Sequence, residues 1–399
     1  TTGPQPSGVL ARSTPRVYAA PPIRPPEEMW RLGENLRGAG RYGRGGAWRR
    51  NASLGNAKRR FSKASPAWTN LPPRSQKAPG LRWLERGLSA SPFLLADGRV
   101  KLHPQLRRLS SEDWLLYEPN RYTQDMLLKQ QLFDGPWRSS VLVDGNALDA
   151  QQEVYDLVQT HLSQRFPAAF PAGDTADAAM STPCRDAAMS PLERAARLCQ
   201  EDLMILRQRP DGEAGDYNLV AAACCFSFGD VRQRAGNGHS MRQLHANVDG
   251  FEDDLGNAVR RAMHGLKTAS PMWRTNWGLS ASNTLGPHES DEHTDAVRGR
   301  ISERGVASLG CTVEYQTLRR LVRNPDCILF TVHTYKEPFA TFTPNAALQL
   351  AQNVRAAAMH AIRSYKGLDD ACVTDKILAF LDERAAEGNL DSGGGTGAS

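Results

Sequence analysis

The stretch 311-CTVEYQTLRRLVRNPDCILFTVHTY-335 decides the fold class. Two runs rich in Val, Ile, Thr, Tyr and Phe flank Asn324-Pro325-Asp326, a turn signal, so the pattern predicts two antiparallel strands. Side chains along a strand alternate between faces. Val313, Tyr315 and Thr317 therefore share one side of the first strand, and Glu314, Gln316 and Leu318 share the other. In the second strand, Ile328, Phe330, Val332 and Thr334 oppose Leu329, Thr331, His333 and Tyr335. Arg319 and Arg320 straddle the two faces, which puts one of them on the side of any pocket the sheet lines.

Further strands lie upstream. WRTNWGLS (273–280) alternates so that Arg274 and Asn276 share a face, and the nearly all-apolar run 217–228 reads as a strand covered on both sides. Helical periods fill the rest. Met126, Leu127, Leu128 and Leu132 mark one helix, with Ser111 as the cap of the segment before it. Val154, Leu157, Val158 and Leu162 mark a second. Ser190-Pro191-Leu192-Glu193 has capping-box spacing with proline at the first helical position. Leu192, Ala195, Cys199, Leu203 and Leu206 then extend that helix to about residue 206, leaving Glu201 and Asp202 facing solvent. A short helix is expected at 239–245, a longer one near 251–266, and two more around 345–364 and 371–386. The Ala/Asp-rich stretch around 171–189 reads as a surface insertion, and 281–304 as a long solvated loop. Helices flanking an antiparallel sheet make the expected class α+β.

Charge divides the chain. Residues 1–83 hold 16 Lys/Arg against 3 Asp/Glu, whereas the remainder holds 33 against 40. The net charge of +6 is thus a property of the N-terminal extension, and it does not make the folded body a nucleic-acid binder. Pro21–Pro26 favours extended backbone, and the Arg/Gly mixture at 37–50 disfavours helix. Residues 1–80 form the expected basic extension, with the folded part beginning near Pro92. Its composition fits an organellar presequence, of mitochondrion or chloroplast, or a tail that docks on a protein assembly through Trp30, Trp48 and Trp68. Contact with nucleic acid is the weaker alternative, and a cytoplasmic location stays open. Seven cysteines at irregular spacing, with no CxxC, point to buried thiols rather than to a disulfide framework, a zinc site or a cluster. No run approaches the roughly 18 apolar residues of a membrane span.

Four segments carry a resemblance: DWLLYEPNRY (113–122), PLERAARLCQEDLMIL (191–206), Trp273-Arg274-x-Asn276-Trp277, and EYQTLRRLVRNPDCILFTVHTY (314–335). With them the chain resembles the haem-dependent oxidative N-demethylase alpha-subunit-like proteins over roughly residues 92–370, ahead of a C-terminal helix and Gly-rich tail at 371–399. The resemblance implies a PAS-like antiparallel sheet elaborated with flanking helices and holding haem b. It implies oxidative demethylation of small amines with release of formaldehyde. Electrons would come from NADPH through partner reductase subunits carrying FMN and an iron–sulfur cluster. The lack of a strand-linked GxGxxG agrees with that division of labour. The family usually continues its histidine into a Pro-Val-Pro-Gly type turn. Here 245-HANVDGF-251 keeps the histidine and glycine and lacks both prolines, so a catalytically inactive structural subunit stands as the alternative.

Haem needs an apolar slot, an axial donor and groups for its propionates. His245, at a helix end before a turn, is the first candidate for the metal ligand; it also fits a plain helix-end role. His333, within a strand, is the second, and His264 fits a non-ligand role. Arg274, Asn276 and Arg319 are the candidate cofactor-binding residues, with a sheet-surface role as the plain alternative. Glu314, with Gln316, fits binding of a cationic amine or an ion pair with a neighbouring arginine. Tyr315 and Tyr335 fit proton donation or aromatic packing.

Overall fold

The computed structural model describes residues 80–86, 93–94, 100–135, 141–143, 145–171, 189–210, 212, 214–227, 231, 240–246, 248–286 and 293–391. The expectations for residues 1–79, for the insertion over 172–188 and for the tail beyond 391 lie outside them. In chain order the elements are α1 (Leu81–Glu85), β1 (Phe93–Leu94), β2 (Val100–Lys101), β3 (Arg107–Arg108), α2 (Pro119–Asp134), β4 (Val141–Val143) and α3 (Leu148–Arg165). There follow α4 (Pro191–Ala196), β5 (Asp202–Gln208), β6 (Tyr217–Ala223), α5 (Met241–Leu244), a π-helical turn (Phe251–Gly256) and α6 (Asn257–Gly265). The chain then runs through β7 (Met272–Ser280), α7 (His293–Arg304), β8 (Gly310–Arg320), β9 (Cys327–Pro338), α8 (Pro344–Ala358) and α9 (Ala371–Asp391).

The class is α+β. β1 pairs with β2, and the other seven strands form one antiparallel sheet in the order β3-β7-β8-β9-β5-β6-β4. The 311–335 stretch is its centre, with Tyr315 opposite His333 and Glu314 opposite Thr334 in the β8–β9 ladder. The tip of this hairpin is held by a side chain from elsewhere. Glu153 of α3 accepts from the backbone N–H of Val322, Arg323 and Asn324 and from the Asn324 amide, at 2.6–3.0 Å.

Alternation gives the sheet two differently covered faces. One bears Leu203, Ile205, Trp277, Val313, Tyr315, Leu329 and Tyr335 in the main core, which includes buried residues of α1, α3, α4, α8 and α9. The other bears Met204, Leu206, Leu219, Ile328 and Val332, joined by Met263 of α6 and flanked by Met241 and Leu244 of α5. Fully burying such aliphatic side chains is worth about 1.5–3 kcal/mol each.

Four expectations need correction. The helix begun at Ser190, whose Oγ accepts from the Glu193 N–H at 3.2 Å, ends at Ala196. Residues 202–208 continue instead as β5 between β6 and β9, because DLMILRQ is buried on both sides and its apolar run serves strand as well as helix. Glu201 and Asp202 are fully buried rather than solvent-facing. Asp202 accepts from the N–H groups of Cys225, Phe226 and Ser227 and from the Ser227 hydroxyl, so the carboxylate closes the end of β6. Within 281–304, residues 293–304 form α7. The cap near residue 111 is Ser110, which accepts from Glu112 N–H at 3.4 Å. The six cysteines among the described residues are free, five of them buried and Cys372 exposed. Among the described residues no helix is long and apolar enough to cross a membrane.

Candidate functional site

The second face of the sheet changes from apolar to polar along β7, β8 and β9. Register lays out three rows across these strands: Arg274–Gln316–Val332, Asn276–Glu314–Thr334, and Gly278–Thr312–Lys336. Glu314 Oε2 accepts from the Asn276 amide at 3.1 Å and from the Gln316 amide at 2.8 Å. Lys366, on the segment between α8 and α9, donates its Nζ to Asn276 Oδ1 at 3.0 Å and to the Trp277 carbonyl. Lys336 donates to Ser280 Oγ at 3.1 Å and Thr312 Oγ1 at 2.6 Å. Arg274 is half-buried, and its buried Nε has no acceptor; the buried Thr334 hydroxyl has no partner either. Burial pulls the Arg274 guanidinium down to about 10 against the opposing pull of Glu314.

His245 stands at the C-terminal end of α5. That short helix starts with a capping box in which Ser240 Oγ accepts from Gln243 N–H and Gln243 Oε1 accepts from Ser240 N–H. The His245 Nδ1 lies 2.8 Å from the Met241 carbonyl. A carbonyl only accepts, so Nδ1 carries the proton and Nε2 keeps its lone pair. The ring stacks on Phe251, 4.2 Å between centroids and 10° from parallel. Burial lowers its pKa, the Met241 carbonyl works against that, and the Arg274 charge adds to it, so the ring is held neutral. The turn after His245 needs Gly250, whose φ is +79° and whose missing side chain makes room for His360 Cε1. His360 donates Nε2–H to Asp254 of the π-helical turn at 2.8 Å and accepts Ile362 N–H on Nδ1 at 3.0 Å. That links the π turn to the segment bearing Lys366.

These features fit a haem-type ligand set. A neutral histidine oriented through Nδ1–H by a carbonyl is the ordinary form of an axial donor. Met241, Leu244, Met272, Leu318 and Phe330 add partly buried apolar surface on the same face. Arg274, whose buried Nε has no acceptor, is a cation in electrostatic reach of the histidine.

The structure brings His245, Arg274, Asn276 and Glu314 to one face and places Tyr315, Tyr335 and Arg319 on the other. Tyr315 stacks on Trp83 at 4.4 Å and donates to the Asp113 carbonyl at 2.8 Å. Tyr335 donates to Glu118 Oε1 at 2.9 Å, and burial pushes both phenols well above their usual range. The Arg319 guanidinium lies 4.1 Å from the Trp114 ring centroid and is lowered by burial. Arg320 shares the polar face, but its donors are spent on the Leu266, Met263 and Pro325 carbonyls and the Tyr217 hydroxyl. His333 projects into the main core against Glu201. Two cations escaped the sequence reading. Lys336 was legible, since it lies two residues beyond Thr334 on the same strand; Lys366, in a segment without periodicity, carries no local signal.

The family model described as haem-dependent oxidative N-demethylase, alpha subunit-like, matches residues 105–373, about two-thirds of the chain. The match runs from the start of the sheet at β3 through the entire β7–β8–β9 meander and past Lys366. No curated protein matches the chain. The chain thus belongs to the haem-dependent oxidative N-demethylase, alpha-subunit-like family.

Proposed function

We propose that this protein is a haem-binding oxidoreductase subunit that removes N-methyl groups from amines, with electrons delivered by separate reductase subunits. The observation that carries the haem reading is His245: neutral, oriented by the Met241 carbonyl, with no partner on Nε2 among the described residues. A PAS-like reading is supported by the order of the five central strands, β6-β5-β9-β8-β7, with α5 and α6 entering between β6 and β7 and covering one face.

His245 would hold the iron of haem b, and Arg274 would face the cofactor's acidic edge. When bound, haem supplies the oxidising power, and the overall reaction consumes dioxygen, two electrons and two protons per methyl group and yields formaldehyde and water. The chain's own residues orient the substrate. Asn276 and Gln316 fix the Glu314 carboxylate through Oε2, which leaves Oε1 to accept from an amine N–H.

The test is the absorption spectrum of full-length protein reconstituted with haem. Wild type is expected to show a Soret band of a histidine-ligated haem, and His245→Ala to lose or reshape it while keeping the wild-type circular dichroism. An identical spectrum in both would reject the ligand assignment. A second reading, a structural subunit without turnover, is favoured by the proline-free turn after His245; absence of any haem uptake by wild type would establish it.

A further inference from the structure

On the polar face of the sheet, positive charge outnumbers negative. Glu314 is the one carboxylate, among the described residues, that acts on Arg274, Lys336 and Lys366 together. Its Oε2 is already occupied by two amides. Lys366, 2% exposed, meets neutral acceptors in Asn276 and the Trp277 carbonyl. Arg274 Nε and the hydroxyl of Thr334, itself 2% exposed, are buried without any acceptor or donor. Beside them the row Gly278–Thr312–Lys336 is open at one end, because a side chain added at Gly278 would meet nothing within 4 Å. Space, unpaired donors and surplus charge coincide.

We propose that this face is a binding subsite for a carboxylate group, received by Arg274 and Lys366 beside the opening at Gly278. A guanidinium presents two parallel N–H groups that match the two oxygens of a carboxylate. A buried donor such as the Arg274 Nε is costly to leave without an acceptor, and a ligand anion removes that cost. Burial pulls Lys366 down to about 8, the direction expected of an ammonium group whose hydrogen-bond acceptors are neutral. Glu314 on the same face disfavours a doubly charged phosphate and tolerates a singly charged carboxylate. The group has two sources. One is a haem propionate, which rests on the haem reading above. The other is the free acid of a small substrate such as an N-methylated amino acid, whose ammonium would meet Glu314 Oε1.

Two arms of one experiment separate the sources. In the first, the full-length, haem-free protein is titrated calorimetrically with N-methylglycine and with dimethylamine. In the second, haem and haem dimethyl ester are compared by absorption titration. Each is run on wild type and on Arg274→Gln, with Arg274→Lys as the charge-conserving control. A preference of about tenfold or more for N-methylglycine, lost in Arg274→Gln, assigns the site to a small acid. A similar preference for haem over its ester, lost in the same variant, assigns it to a propionate. No carboxylate-dependent difference between wild type and variant in either arm overturns the proposal, whatever the His245→Ala spectrum shows. Lys366→Met, read in the same two arms, decides the question if Arg274→Gln does not fold.

Discussion

The Glu201 carboxylate and the His333 imidazole meet at 2.9 Å inside the main core, each side chain about 1% exposed. Glu201 Oε1 also accepts from Leu116 N–H at 2.7 Å, while Oε2 has no partner. The pair joins the entrance of β5 to the middle of β9 and to the segment leading into α2, and so holds three distant parts of the chain in register.

Removing one member should therefore cost more than the pair is worth. Glu201→Ala is expected to lower the unfolding free energy by about 3–5 kcal/mol, because it strands a buried imidazole and a backbone amide. Burial by itself pushes the Glu201 carboxyl up, but the His333 charge and hydrogen bond and the Leu116 amide outweigh it, and its net direction is down. A folded value below the unfolded one, about 4.3, stabilises fully above that pH and fades as pH falls through the folded value. Urea unfolding of wild type and Glu201→Gln should thus show a gap that is constant near neutrality and narrows in acid. A gap that widens below pH 4 would contradict the assignment.

The Glu153 clasp on the β8–β9 turn gives a second expectation. Its carboxylate receives four donors, three of them backbone N–H groups at 322–324. Hydrogen bonds to an ionised acceptor are worth about 1.5–3 kcal/mol each, and their losses overlap. Glu153→Ala should destabilise by about 3 kcal/mol or more, with faster amide exchange at Val322, Arg323 and Asn324 than elsewhere in the hairpin. Uniform exchange along β8 and β9 would show that the clasp is dispensable.

Lys366 should reveal itself through pH. Burial lowers its folded value to about 8, while an unfolded lysine titrates near 10.4. The unfolded chain then binds more protons between those values, so wild-type stability gains with pH across that window. Lys366→Met is expected to be more stable than wild type at pH 7 by about 1–3 kcal/mol, with the advantage shrinking between pH 8 and 10.5. Parallel stability profiles for the two proteins would rule out an uncompensated ammonium.

Gly250 offers a test of the turn that supports His245. Alanine there must adopt φ near +79° and approach His360 Cε1 to 2.8 Å. The left-handed backbone alone costs about 1–2 kcal/mol. Gly250→Ala should lose at least that much stability and, through displacement of Phe251, alter the spectrum of reconstituted haem. Wild-type behaviour in both measurements would show the turn to be freely adaptable.

Much of this architecture was legible beforehand. The alternation in 273–280 placed Arg274 with Asn276, and that in 311–335 placed Glu314 with Gln316, because period two survives any tertiary context; that the two pairs share one side of the sheet follows only from the β7–β8 register. β5 was read as helix because Leu192, Ala195, Cys199, Leu203 and Leu206 happen to fit a helical spacing while both faces of 202–208 are covered. α7 was hidden by its polarity: the described part of 293–304 buries Val297 and Ile301 in an otherwise charged segment. The buried carboxylates could not be foreseen. Glu153 and Asp202 are satisfied largely by backbone amides, and Glu201 meets one amide beside His333; amides leave no mark in a sequence. Tyr315 and Tyr335 likewise found partners, Asp113 and Glu118, some two hundred residues away.

The position of β9 bears on how the chain is made. β9 alone links the β7–β8 ribbon to the β5–β6 pair, since it lies between β8 and β5. A ribosome releasing this protein thus exposes two half-sheets, each with an unsatisfied edge, until residue 338 has emerged. Unpaired edges invite association with other chains, and domains fold as units during synthesis. Products that stop short of residue 338 would therefore be the sticky ones, and emergence of β9 is the event that commits the two half-sheets to a single seven-stranded arrangement.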